Sequence, residues 1–260
     1  VKISGAHTNV IEVKRDNDDL TENYADLSAR DQHGDPIDFS VLNVADIIEY
    51  ADDADLSEVR PFLLRQVEMN MAIAEEGLRG SWGAQIGKLM LSLGDDISRK
   101  ARAYAAAGSD ARMSGCEMPV CIISGSGNQG ITASVPVIVY ARELGMSEEE
   151  MLRALVVSDL ITIHQKTGIG TLSAYCGAIS AGVGAGAGIC YLQGGKFSAV
   201  AHTLVNSVAI LSGTICDGAK ASCAGKIALS VEAGILGWEM FKNGGKQVVL
   251  VSSGAVSAGV

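Results

Sequence analysis

Between Lys166 and Lys196 the chain carries no charged residue, and most of that run, TGIGTLSAYCGAISAGVGAGAGIC, is Gly, Ala and Ser. The stretch is long enough to span a bilayer. It has too few large aliphatic groups to supply the transfer energy that a membrane helix needs. The other reading is a helix whose small side chains let neighbouring backbones come close. Glycine weakens such a helix, so surrounding protein must hold it.

Helical periodicity extends over most of the chain. Val41, Val44, Ala45 and Ile48 share one face, with Ser40 placed to cap the start. Ser57 to Leu78 carries Val59, Phe62, Leu63, Val67, Met71 and Ala74 at three-to-four spacing. Ser147, followed by Glu148, Glu149 and Glu150, opens a further helix through Leu152, Leu155, Val156 and Ile163, with acidic residues at the positive end of its dipole. Residues 1–39 alternate apolar and polar and carry turn signals at RDNDD and QHGDP, which predicts a hairpin or two edge strands. The class is α+β: a small β segment over 1–39, read as the remainder of an N-terminal α/β region; a predominantly α-helical domain over 40–241; and a strand-like tail over 242–260. The chain opens without Met and reads as a fragment or subunit of something longer.

The 260 residues can bury a sizeable core, and a net charge of −10 with no basic run disfavours a phosphate-backbone partner. No charged n-region precedes an apolar h-region. With Cys116, Cys121, Cys176, Cys190, Cys216 and Cys223, this suggests a reducing, cytoplasmic setting in which cysteines are buried, catalytic or metal-bound.

In CIISGSGNQGITASVPVIVY, residues 121 to 140, Gly125, Gly127 and Gly130 spell G-x-G-x-x-G. A dinucleotide fold needs an acidic residue ending a strand about 20 residues further on. There Glu148 to Glu150 open a helix instead, and Pro136 interrupts the expected one. Two readings remain. The amides of SGSGNQG make an anion site for a carboxylate or phosphate, or the segment is a plain turn between helices.

Cys216 and Cys223 on one helix would lie about 10.5 Å apart along its axis. Asp217 and Gly218 look like a cap and a break, which puts Cys216 in a loop ahead of the helix carrying Cys223. Cys176, beside Gly177, is a third candidate. Three thiolates could hold a [4Fe–4S] cluster with one iron open, zinc would need His202 or His164 as well, and free cysteines also serve as small buried hydrophobes. Spacing leaves all three open.

Taken together, SGSGNQGITASVPV, HQKTGIGTLSAYCG and GTICDGAKASC resemble the L-cysteine desulfidase family, related to the α chain of iron–sulfur L-serine dehydratases, from about Leu89 to Trp238. The resemblance implies a [4Fe–4S] cluster on Cys176, Cys216 and Cys223. It also implies a carbon–sulfur lyase that converts L-cysteine to pyruvate, sulfide and ammonia, with L-serine deamination as the alternative. A non-catalytic zinc- or nucleotide-binding helical domain is the competing class. By the same resemblance Ser124, Gly125, Ser126, Gly127 and Asn128 would hold the substrate carboxylate, Lys166 or His164 would act in catalysis, and His7 would line the site. The partners expected are a small amino-acid substrate and a second copy in a homodimer. Cys116, Cys121 and Cys190 match no ligand position and are assigned to packing. The chain departs from the family in three ways: a shorter third cysteine spacing, no counterpart of the N-terminal cysteine base, and a different tail.

Overall fold

Alternation in the first residues and helical periodicity afterwards separate two units, Val1–Val41 and Leu42–Val260. A computed structural model describes residues 1–3, 10–24, 38–169, 173–216 and 218–244. In the first unit β1 (Lys2–Ile3) pairs antiparallel with β2 (Val10–Glu12), and β3 (Lys14–Arg15) pairs with β4 (Asp18–Asp19). The second pair turns through Asp16 at φ 54, a left-handed position that Asp tolerates. The QHGDP turn, His7 and the tail beyond Gly244 lie outside the described residues.

Helices build the second unit: α1 (Val44–Asp53), α2 (Arg60–Arg79), α3 (Ile86–Ser92), α4 (Ile97–Met113), α5 (Gly127–Glu143), α6 (Glu148–Thr167), α7 (Gly177–Leu192), α8 (Phe197–Leu211) and α9 (Cys223–Gly244). The predominantly helical α+β class read from the sequence is the observed one.

Local signals decide the helix ends. Ser147 and Glu150 form the reciprocal capping box expected at the start of α6. The first helix begins later than its periodicity suggests. Asn43, not Ser40, accepts the Asp46 amide at 3.0 Å, while Ser40 sits in a short 3-10 turn with its hydroxyl on Asp38. Val41 is accordingly 65% exposed, and Ile47, Ile48 and Ala51 form the buried face. Phe62 also leaves the expected core of α2 and is 66% exposed. Pro136 does not interrupt α5, which runs through it with every residue from Gly127 to Ala141 buried. Packing on all sides holds the helix across the missing amide.

The uncharged run becomes α7, which packs against α5, α6, α8 and α9. Its glycines face two ways. A Cβ on Gly182 or Gly186 would lie 2.5 Å from the backbone of Ser230 or Gly234 in α9. A Cβ on Gly184 or Gly188 would press on Ser158 and Thr162, or on Ala154, in α6. The glycines therefore exist to let three helix backbones touch. Among the described residues, no helix is long and apolar enough to cross a membrane.

Candidate active site at the start of helix α7

Three chain segments meet where α7 begins. Tyr175 and Ile215 form an isolated antiparallel bridge, and the Cys216 amide donates to the Ala174 carbonyl at 2.6 Å. Cys176 and Cys216 each lie one residue from the bridge, on the same face of it, because side chains alternate along a strand. Gly218, at φ 99, lies between Cys216 and Cys223. Cys223 then opens α9, its sulfur 3.9 Å from the Gly218 carbonyl oxygen.

Burial pushes the Cys176 thiol above its usual range, and the nearby Cys216 and Cys223 thiols add to the rise. The Ala178 and Ile179 amides at the α7 N-terminus act in the opposite direction by favouring the thiolate. The three candidate thiols thus lie within electrostatic reach of one centre.

Lys166, in the last turn of α6, is 7% exposed and makes no hydrogen bond or ion pair with a described residue. Burial lowers the affinity of its amine for a proton, while the Cys176 and Cys216 thiols oppose that shift. A buried cation without a partner is costly unless negative charge is brought to it. His164 lies two residues earlier, about 200° around the helix. It therefore points to the other side of α6 from Lys166, and its buried Nδ1 has no partner among the described residues. His202 stacks on Phe241, ring centres 5.2 Å apart.

Within the glycine motif the serine and asparagine side chains have partners inside the protein. The Ser124 hydroxyl and amide both donate to Gln129 Oε1, at 2.9 and 3.2 Å. Ser126 caps α5 by accepting the Gln129 amide, and Asn128 Oδ1 accepts from Arg112 at 3.3 Å. Gly130 is required because a Cβ there would lie 1.9 Å from the Cys121 carbonyl oxygen. Gly125, at φ 138, makes the turn into α5.

The free donor in this motif is Gln129 Nε2. The residue is 1% exposed, that nitrogen has no partner among the described residues, and it lies 3.8 Å from where a Cβ on Gly177 would stand. The N-termini of α5 and α7 therefore meet at Gln129. Sequence reasoning passed over Gln129 although it stands inside the quoted motif. It also passed over Arg112, which carries no sequence signal beyond a helix-end cation. A cavity of about 400 Å³ opens beside Cys176, walled by Gln165, Tyr175, Ile179, Leu211 and Thr214.

The candidate donor set is all sulfur, which suits soft metals and iron–sulfur chemistry. Among the described residues, no three His, Cys, Asp or Glu side chains are grouped closely enough to chelate a single metal ion. The zinc reading with His164 or His202 has no ligand set there. By chemistry alone, three thiols beside a lysine are the kind of donor set that an iron–sulfur cluster takes.

The helical scaffold thus brings candidate thiols, a largely buried lysine and two helix N-termini into one region. The sequence matches the family model described as serine dehydratase alpha chain over residues 7–258, and the chain belongs to that family. It is 53% identical to a UPF0597 protein of Desulfitobacterium hafniense over 94% of this chain and 56% of that one. A UPF0597 protein of Lachnoclostridium phytofermentans is 49% identical over 91% and 56%, and one of Treponema denticola 47% over 92% and 56%. The chain thus spans little more than half the length of these relatives, whose names state no substrate. No solved structure matches it.

Proposed function

We propose that this chain is the cofactor- and substrate-binding part of an amino-acid lyase, with Cys176, Cys216 and Cys223 holding a [4Fe–4S] cluster. The observation that carries this reading is Lys166, a largely buried lysine with no counter-ion among the described residues, within electrostatic reach of the Cys176 and Cys216 thiols. When bound, the cluster supplies a Lewis-acidic iron for the substrate's β-heteroatom.

The protein's own groups do the rest. Gln129 Nε2 and the first-turn amides of α5 receive the substrate carboxylate, with Arg112 beside them for charge. Lys166 sets positive charge where the β-substituent leaves and can return a proton to it. Transfer of the α-proton to a base, with departure of the β-substituent and its bonding electron pair, leaves an enamine. Hydrolysis of that enamine gives pyruvate and ammonia.

With L-cysteine the leaving group is sulfide, the preferred reading from the motifs. With L-serine it is water, the reading favoured by the family's description as serine dehydratase. The test is to supply each amino acid to the anaerobically reconstituted full-length protein and measure sulfide and pyruvate. Sulfide with pyruvate from L-cysteine, exceeding pyruvate from L-serine, supports desulfidation. Pyruvate from L-serine alone selects deamination, and no pyruvate from either refutes the lyase.

A further inference from the structure

A second cavity, of about 260 Å³, lies between α2, α6 and the chain at Cys121–Ile122. Its walls hold three polar side chains that the lyase reading does not use. Gln66, 5% exposed, donates through Nε2 to Asp159 Oδ1 at 3.1 Å, and its own Oε1 is buried with no partner among the described residues. Asp159 has no cationic partner among the described residues, although burial pushes its carboxyl up to about 7. Arg65, exposed at the same cavity, makes no hydrogen bond or ion pair with a described residue. Phe62 and Ile122, 66% and 60% exposed, supply apolar wall.

Each group lacks what a zwitterion carries. A buried carbonyl oxygen without a donor costs about 1–3 kcal/mol. An ammonium has three N–H donors and a positive charge, enough for Gln66 Oε1 and the Asp159 carboxylate together. The free guanidinium fork matches a carboxylate through two parallel hydrogen bonds. Asp159 and Lys166 share a face of α6 but lie seven residues apart, about 10.5 Å along the axis. A small amino acid held by Asp159 therefore cannot also reach the cysteines.

We infer that Arg65, Gln66 and Asp159 form a second binding site, separate from the cysteine centre, for the zwitterionic backbone of a small α-amino acid. Phe62 and Ile122 receive its short side chain. The proposal stands independently of the chemistry assigned to the cysteines.

L-Alanine has no β-leaving group, so its binding to the metal-free 260-residue chain can be followed at equilibrium by calorimetry. The expected result is one site, weakened roughly tenfold or more in Arg65→Ala and in Asp159→Asn, and unchanged in Lys166→Met and Cys216→Ser. Propionate and isopropylamine, which each keep one charge, should bind at least about tenfold more weakly than L-alanine. Arg65 is exposed, so Arg65→Ala keeps the test valid if Asp159→Asn fails to fold. Absence of L-alanine binding up to roughly 10 mM overturns the proposal, as does binding unaffected by Arg65→Ala. Loss of binding in Lys166→Met would move the ligand to the cysteine centre and overturn it equally.

Discussion

The body of α7 and its first turn are one helix under opposite constraints. Along the body, glycines press backbone against backbone on α6 and α9, and polar side chains there are few and engaged. At the first turn the reverse holds. Among the described residues, Gln129 Nε2 is buried with no partner, Lys166 is largely buried without a counter-ion, and the Cys216 and Cys223 thiols lie within electrostatic reach of Cys176. Close packing identifies the scaffold, and unmet polar demand identifies the site.

Substitution can separate the two. The largest loss of stability should come from Gly186→Leu, whose Cβ would meet the Gly234 backbone at 2.5 Å. Overpacking of about 3 kcal/mol or more should lower the thermal midpoint by roughly 6–12 °C, if the chain folds at all. Lys166→Met should act oppositely. Removing a buried, unpaired cation should raise the midpoint of the metal-free chain, while amino-acid turnover by the full-length protein falls by about 100-fold or more. A lowered midpoint would mean that Lys166 is structural.

Gln129→Glu keeps an oxygen acceptor for Ser124 and replaces the free donor with an acceptor. The expected outcome is a KM raised about tenfold with a smaller change in kcat. Equal loss of kcat at constant KM would remove Gln129 from carboxylate binding. His164→Leu, facing away from Lys166, should leave both constants within about twofold.

At the second cavity the expected effect is a pH dependence of stability. The Asp159 carboxyl rises from its usual 3.8 to about 7 in the folded chain, so the folded state keeps a proton that the unfolded state releases. Its contribution to stability is complete below about pH 4 and is lost as pH rises through 7. Asp159→Asn should flatten that slope in denaturation measured at several pH values from 5 to 8. Arg65 and Cys121 face the same cavity. An unchanged slope would show that Asp159 does not titrate there.

The helical class and the Ser147 capping box were legible because period and cap chemistry are local. The cap of α1 was misplaced because Ser40 and Asn43 carry equal local signals, and tertiary burial of Ile47 and Ile48 decides between them. Pro136 misled for a related reason, since burial on every side lets α5 continue where an isolated helix would break. The cysteine spacing could not show that Tyr175 pairs with Ile215, a contact between segments about forty residues apart that brings Cys176 beside Cys216. Ser124 and Ser126 were read as substrate contacts, yet their hydroxyls orient and cap Gln129, whose role only the hydrogen-bond pattern reveals.

The central claim is that Cys176, Cys216 and Cys223 serve one centre. Its most direct test is iron content and visible absorbance after anaerobic reconstitution of the chain with iron and sulfide, beside Cys176→Ser, Cys216→Ser and Cys223→Ser. The account predicts about four irons per chain with broad visible absorbance, and loss of most of both in each variant. A colourless parent chain, or iron retained undiminished in any of the three variants, would contradict it.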